Sequence, residues 1–301
     1  MSTFKIKKIL VPTDYSETAD NALSQSIYMA KLNKAIIKLI HVVTPIYVST
    51  PNSLIPVTDT FYVTVVNEAS AELQKKAAKI EETNAIGIEY EVKVGNISDE
   101  ICSMADEGKF DIIIMGTHGT SGVKEFFAGS NAYKVVNHAE CPVLTIQKRP
   151  DQQSFKNIIL PIRLEITSRQ KVNYAIEMAR LFDATISIVG YTDDKNESQQ
   201  FKVKQYVEQV EKYLTKCNVK HTSTAIFADN FTKEILDYAN KNDADLIVVM
   251  KKHDFSLDQL LKGVYSEQFV NHSAIPILSI PVFTNPDMMT HGTYLVGDLP
   301  F

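Results

Sequence analysis

No stretch of the 301-residue chain holds the roughly 18 consecutive apolar residues that a membrane span requires. The opening segment, MSTFKIKKILVPTD, lacks the apolar centre of a secretion signal. Cysteine is scarce. Cys102, Cys141 and Cys217 are odd in number and widely spaced, with no CxxC pair, which argues against a disulfide framework and against a cysteine-based zinc site. An excess of basic charge is missing as well: 31 Lys and Arg stand against 36 Asp and Glu, for a net charge of −5, so nucleic acid is not an expected partner. What remains is 45% hydrophobic and 22% charged residues, an ordinary balance for a globular protein resident in the cytoplasm, with a length suited to two domains.

The most informative stretch runs from Asp111 to Ile146. Ile112 to Met115 is a short continuous apolar run, the mark of a strand buried on both faces. Gly116-Thr117-His118-Gly119 breaks it. Gly129-Ser130-Asn131 then opens a helical pattern, which Cys141-Pro142 ends before a second strand, Val143 to Ile146. Strand, glycine loop, helix and strand make a βαβ crossover. Gly116 and Gly119 fall just past the strand's carboxyl end, where an open α/β sheet takes its ligands. Lacking Cβ atoms, they allow backbone N–H groups to come close to an anion. Gly129 and Ser130, at a helix start, add N–H groups and a hydroxyl suited to phosphate. Ordinary βα turns and a helix cap would also use these residues. No Gly-Lys-Ser/Thr follows, so this is not a P-loop, and the spacing is not the dinucleotide fingerprint either.

In chain order, Ile6 to Val11 reads as the first strand, with Ser16-Glu17-Thr18 offering caps for the next helix and Ile36 to Val43 forming the second strand. Asp14 sits at the carboxyl end of strand one, placed either to cap the helix or to accept from a nucleoside's amine or hydroxyls. Residues 44–66 carry three prolines and several Ser and Thr, which predicts a long loop on the ligand side, a lid or a dimer contact. A helix from about Glu68 to Glu82, a strand from Ile88 to Val94 and a helix from Ser98 to Glu107 follow, the last with Ser98 as cap. Cys102 is expected to be buried packing.

The spacing Gly-x2-Gly-x9-Gly-Ser at Gly116, Gly119, Gly129 and Ser130 resembles the ATP-binding signature of the universal stress protein family, and PTDYSETA at residues 12–19 resembles that family's opening motif. The resemblance implies a nucleoside held by Pro12, Thr13, Asp14 and Val42. It implies ribose and phosphates held by Met115, Gly116, His118, Gly119, Gly129, Ser130 and Asn131, with Mg²⁺ arriving on the phosphates. Asn131 departs from the small or apolar residue the family often has there. The implied ligand is ATP, or ADP or AMP.

The second half repeats the first. Pro12 matches Pro161, FDIIIMG at 110–116 matches ADLIVVM at 244–250, and VVNHAECPVLTI at 135–146 matches FVNHSAIPILSI at 269–280. Domains are therefore expected at 1–149 and 154–283, with a C-terminal extension at 284–301 whose chemistry is unreadable. His291 near Asp287 is better read as solvated than as a metal site. The repeat also tests the motif: Asp14 becomes Arg163, Gly116 becomes Met250, Gly119 becomes His253 and Ser130 becomes Val264, while Gly129 is kept as Gly263. One competent site, in the first half, is the expectation. The retained Asn137-His138 and Asn271-His272 pairs beside a degenerate loop read as structural helix-end bonds.

The expected fold is two doubly wound α/β domains in tandem, each a parallel five-stranded sheet of order 3-2-1-4-5. The resemblance further implies an internal pseudo-dimer of the two halves, joined through their last strands, and allows a homodimer. The expected function is ATP binding by a regulatory stress-response protein. A slow ATPase is one alternative, although the loops show no general-base carboxylate or arginine finger. A scaffold with vestigial nucleotide binding is the other.

Overall fold

The computed structural model describes residues 4–45, 47–50, 53–56, 59–117, 130–147, 153–251 and 275–282. Residues 6–117 with 130–146 belong to one compact unit, and 153–251 with 275–282 to another. His118, Gly119, Gly129, the linker residues 148–152, the loop residues His253, Gly263 and Val264, the pair Asn271-His272 and the extension 284–301 lie outside the described residues.

In the first unit the elements are β1 (Lys8–Pro12), α1 (Glu17–Asn33), β2 (Ile36–Val43), β3 (Tyr47–Thr50), β4 (Ser53–Pro56), α2 (Asp59–Asn84), β5 (Ile88–Val94), α3 (Ile97–Glu107), β6 (Ile112–Gly116), α4 (Ser130–His138) and β7 (Val143–Ile146). Five of the strands pair in parallel in the order β7-β6-β1-β2-β5. Numbered within the domain this is 3-2-1-4-5 read from the β5 side, and the order reverses between β1 and β6, which makes their carboxyl ends the switch point. The central strands are buried on both faces: Ile9, Leu10, Val11, Ile112, Ile113 and Ile114 have no exposed surface. That is why they read as unbroken apolar runs rather than as alternation.

The second unit repeats the plan with β8 (Asn157–Ile162), a single 3-10 turn (Ile166–Arg169), α5 (Val172–Phe182), β9 (Thr185–Thr192), α6 (Glu197–Lys216), β10 (His221–Phe227), α7 (Phe231–Lys241), β11 (Leu246–Met250) and β12 (Ile277–Ile280). Its sheet is also parallel, in the order β10-β9-β8-β11-β12.

Two expectations need correction. Residues 44–66 are not one long loop. Tyr47–Thr50 and Ser53–Pro56 pair as an antiparallel hairpin, and α2 begins at Asp59, nine residues before Glu68. The run DTFYVTVV is poor in helix formers. The helical period nonetheless extends upstream from Leu73 through Ser70, Ala69, Val66 and Val65 to Tyr62, which are its half-buried or buried positions, and packing of that stripe overrides propensity. The cap of α3 is Asn96 rather than Ser98; its Oδ1 accepts from the N–H groups of Ser98 (3.1 Å) and Asp99 (3.4 Å).

One tie recurs in both units. Asp111, just before β6, accepts through Oδ2 from the N–H groups of Lys7 (2.7 Å) and Lys8 (2.8 Å). Asp245, just before β11, does the same for Lys156 (2.7 Å) and Asn157 (2.8 Å). Each carboxylate fixes the start of the first strand against the fourth, the two strands that flank the switch point. Asp111→Ala is expected to lower unfolding free energy by about 1–3 kcal/mol, since two charge-assisted bonds are lost. Urea denaturation checks this; an unchanged midpoint would rule the tie out as a stabilising contact.

Candidate functional site

A cleft opens at the carboxyl ends of β1 and β6, between the starts of α1, α3 and α4, with about 120 Å³ of open volume. Seven of the eleven residues singled out from the sequence line it: Pro12, Thr13, Asp14, Val42, Met115, Gly116 and Asn131. Ser130 supplies the first residue of α4, and His118, Gly119 and Gly129 fall outside the described residues.

The floor is built by backbone bonding. Thr13 N–H donates to Ile40 O (2.9 Å), which continues the β1–β2 ladder one residue past the strand. His41 Nδ1 lies 2.8 Å from Thr13 O. A carbonyl only accepts, so Nδ1 carries the hydrogen, which sets the ring's tautomer when neutral. Thr13 Oγ1 accepts from Tyr15 N–H (3.2 Å), and Asp14 Oδ1 accepts from Ser16 N–H (3.0 Å). Tyr15 takes a left-handed backbone, φ 62°, in the middle of this turn, a conformation uncommon for an aromatic residue and often tied to functional loops. Its ring stands 5.0 Å from that of His41, Lys76 Nζ lies 5.5 Å over the ring, and its hydroxyl donates to Ala69 O on α2 (3.4 Å). Burial, reinforced by the charge of Glu72, pushes the Tyr15 hydroxyl up to about 12, so it remains a neutral donor at physiological pH.

Local hydrogen bonds identify two helix-end roles. The cap of α1 is Ser16, whose hydroxyl accepts from Ala19 N–H (3.2 Å). Asp14 is therefore not the helix cap; its carboxylate lies earlier in the turn, on the cleft wall. His138, in the last turn of α4, bonds through Nδ1 to Lys134 O (2.7 Å), the helix-end role expected of it.

Gly116 has a packing reason of its own. A Cβ there would stand 2.7 Å from the Thr18 carbonyl carbon and 2.9 Å from Ala19 N, both backbone atoms of α1's first turn. The end of β6 and the start of α1 touch main chain to main chain, and both line the cleft. The side chains of Tyr15 and His41 and the apolar wall of Ile97 and Ile101 were not singled out from sequence. His41 precedes Val42 on β2, and Ile97 and Ile101 are spaced one helical turn apart at the start of α3; those are the signals that could have found them.

The second unit fills the corresponding place with its own side chains. Register pairs Pro12 with Ile40 and Pro161 with Val189, so Tyr191 occupies the position of Val42. Asn230 caps α7 as Asn96 caps α3, so Phe231 stands where Ile97 stands. Tyr191 is 2% exposed, its ring meets Phe231 edge-on at 4.9 Å, and its hydroxyl donates to Ala228 O. Arg163, the counterpart of Asp14, lays its guanidinium 5.0 Å over Phe231 and pairs with Glu165 at 3.1 Å. Residues 17–20, the first turn of α1, correspond to the 3-10 turn Ile166–Arg169. Met250, wholly buried, replaces Gly116. The two changes go together, because a side chain at that position cannot coexist with α1's first turn in its present place.

A parallel five-stranded α/β domain with its cleft at the switch point belongs to the doubly wound class, whose members bind ligands at that position. A family model, the universal stress protein family, matches residues 5–147 and again 154–281. The chain belongs to the universal stress protein family, in a tandem form. It is 33% identical over 144 residues to universal stress protein MJ0531 of Methanocaldococcus jannaschii, covering 47% of this chain and 82% of that protein. To MJ0577 of the same organism it is 30% identical over 155 residues, covering 48% and 96%. A universal stress protein from Archaeoglobus fulgidus shares the fold along 94% of this chain and 99% of its own, with TM-score 0.73 at 18% identity.

Gly116→Ala is expected to cost about 1–3 kcal/mol of stability through overpacking against α1. Thermal and urea unfolding of the variant measure it. A stability equal to the parent's would mean that α1 can move away freely, and the main-chain contact would lose its importance.

Proposed function

We propose that the N-terminal domain binds a nucleotide, ATP or its di- or monophosphate, and that the chain acts as a regulatory nucleotide-binding protein with one competent site. The observation that carries this reading is the convergence of Pro12, Thr13, Asp14, Val42, Met115, Gly116 and Asn131, drawn from β1, β2, β6 and α4, on one cleft at the switch point. About 120 Å³ is less than the roughly 300 Å³ at which pockets for whole drug-sized ligands begin. It suits the base end of the ligand, seated against Val42, Ile97 and Ile101, with Asp14 accepting from the nucleoside. The phosphates then extend over the carboxyl end of β6 toward the start of α4, where helix N–H groups favour anions. His118, Gly119 and Gly129 would complete that half of the site. Mg²⁺ would enter on the phosphates. The self-filled stack of Arg163, Phe231 and Tyr191 supports a single site per chain.

Calorimetric titration with ATP and Mg²⁺ should give about one site per chain near micromolar affinity, roughly −8 kcal/mol. Two equivalent sites would overturn the assignment of the second domain as closed. Asp14→Ala should weaken ATP binding by about tenfold to a hundredfold, because a buried donor of the ligand loses its acceptor. Its melting midpoint without ligand should fall only modestly, through loss of the bond from Ser16 N–H, since Ser16 itself holds the helix cap. Unchanged affinity in this variant would remove Asp14 from the site.

A further inference from the structure

β5 is an open edge. Among the described residues it pairs with β2 alone, in a register from Ile37 opposite Ile88 to Val43 opposite Val94. Ile37 N–H donates to Gly87 O (3.0 Å) and Gly95 N–H to Val43 O (3.1 Å). In a parallel pair alternate residues turn both backbone groups to the same neighbour. Gly87, Glu89, Glu91, Lys93 and Gly95 therefore face β2, and Ile88, Tyr90, Val92 and Val94 present their N–H and C=O groups outward. The strand runs seven residues, IEYEVKV, without proline, internal glycine or bulge. Tyr90 and Val94 are 37% and 42% exposed. Such an edge is a template for another strand unless something guards it.

The side chains specify which strand fits. Apolar residues sit at the even positions and charged ones at the odd, and the charges are of both signs: Glu89, Glu91 and Lys93. Laid antiparallel on a second copy of itself about a two-fold axis at Glu91, the strand sets Ile88 opposite Val94 and Tyr90 opposite Val92. These outward-facing pairs are the ones that exchange hydrogen bonds. The same register sets Glu89 opposite Lys93 twice. Glu91 meets Glu91, but each is already neutralised by Lys38 (2.7 Å) and Lys93 (3.0 Å) of its own chain. An axis at Tyr90 would oppose Glu89 to Glu91, which is repulsive. An axis at Val92 would drop Ile88 from the ladder. The other domain's β10, HTSTAIF, carries no carboxylate or ammonium group to answer β5, and Lys204 Nζ lies 5.6 Å over its Phe227 ring. From this self-complementarity of alternation, backbone parity and charge, we propose that β5 is a homotypic interface, on which a second copy of the chain adds its own β5 antiparallel with the two-fold axis at Glu91. The inference stands apart from the nucleotide reading and does not depend on it.

Two measurements on the full chain test it. Glu91→Cys places a thiol opposite its own copy at a non-hydrogen-bonded pair, where Cα atoms lie about 4.5 Å apart, within the disulfide range. On mild oxidation this variant should give a dimer whose peptide map contains a disulfide joining position 91 of one copy to position 91 of the other. No such symmetric link should form in the parent or in Tyr90→Cys. In sedimentation velocity, Lys93→Glu should raise the dimer dissociation constant about tenfold or more, since two attractive cross-strand pairs become repulsive. Adding Glu89→Lys to that variant should restore association. Failure of the Glu91→Cys variant to cross-link overturns the proposal, and so does association that ignores Lys93→Glu; the latter result would assign self-association to another face and leave β5 for a foreign strand or for none.

Discussion

The contact between Gly116 and the first turn of α1 is the constraint on which the ligand side of the first domain rests. Main chain touches main chain there, because a Cβ on Gly116 would fall 2.7 Å from the Thr18 carbonyl carbon. That approach lets α1 begin five residues after Pro12, directly over the end of β6. Ser16, Thr18 and Ala19 then form one wall of the cleft and Gly116 with Thr117 another. The Asp111 carboxylate supports the same geometry from the opposite end of the sheet by tying the start of β1 to the segment that leads into β6. The switch point is thus held at both ends of the strands that create it, once by a charge-assisted tie and once by the absence of a side chain.

The second domain shows what happens when this constraint is released. It retains the carboxylate tie at Asp245, the strand order and the buried strands. It has lost the glycine, and with it the helical first turn, which becomes a 3-10 turn before α5 starts at Val172. The wall residues then change in concert: Val42 to Tyr191, Ile97 to Phe231 and Asp14 to Arg163. Edge-on aromatic packing of the kind seen at 4.9 Å contributes about 0.5–1.5 kcal/mol beyond the burial itself. A guanidinium over a ring adds about 0.5–1 kcal/mol or more once desolvated. These substitutions place a buried Tyr191 and a half-buried Phe231 and Arg163 where the first domain has its cleft wall.

Much of this was legible in the residues. The buried strands announced themselves as apolar runs because both faces of a parallel sheet are covered. The duplication was readable from Pro161, ADLIVVM and FVNHSAIPILSI. Seven residues of the cleft lining were readable, Asp14, Gly116 and Asn131 from their places at strand and helix ends and Pro12, Thr13, Val42 and Met115 from the family resemblance. The start of α2 was not readable: Phe61, Val63, Val65 and Val66 argue locally for strand, and only the stripe from Tyr62 to Leu73 packing inward makes them helix. The cap of α3 was misplaced because Asn96 and Ser98 are both good caps, and the choice depends on where the backbone turns after Gly95. The packing role of Gly116 was hidden for a different reason. Sequence says that no Cβ is present, and only coordinates say which neighbour requires that.

The alternatives that a sequence leaves open for Asp14 separate on one geometric fact. A helix has one N-cap residue, and Ser16 holds that place, so the carboxylate of Asp14 is left to the turn and the cleft wall. In the second domain the same position carries Arg163, whose charge is met by Glu165 and whose plane is met by Phe231. A position that merely capped a helix would tolerate Ser, Thr or Asn with little consequence. Here the inverted charge is accompanied by an aromatic ring under the guanidinium and a carboxylate that neutralises it. The domain that keeps Asp14 also keeps Gly116, the helical first turn of α1 that packs on it, and the open cleft between them.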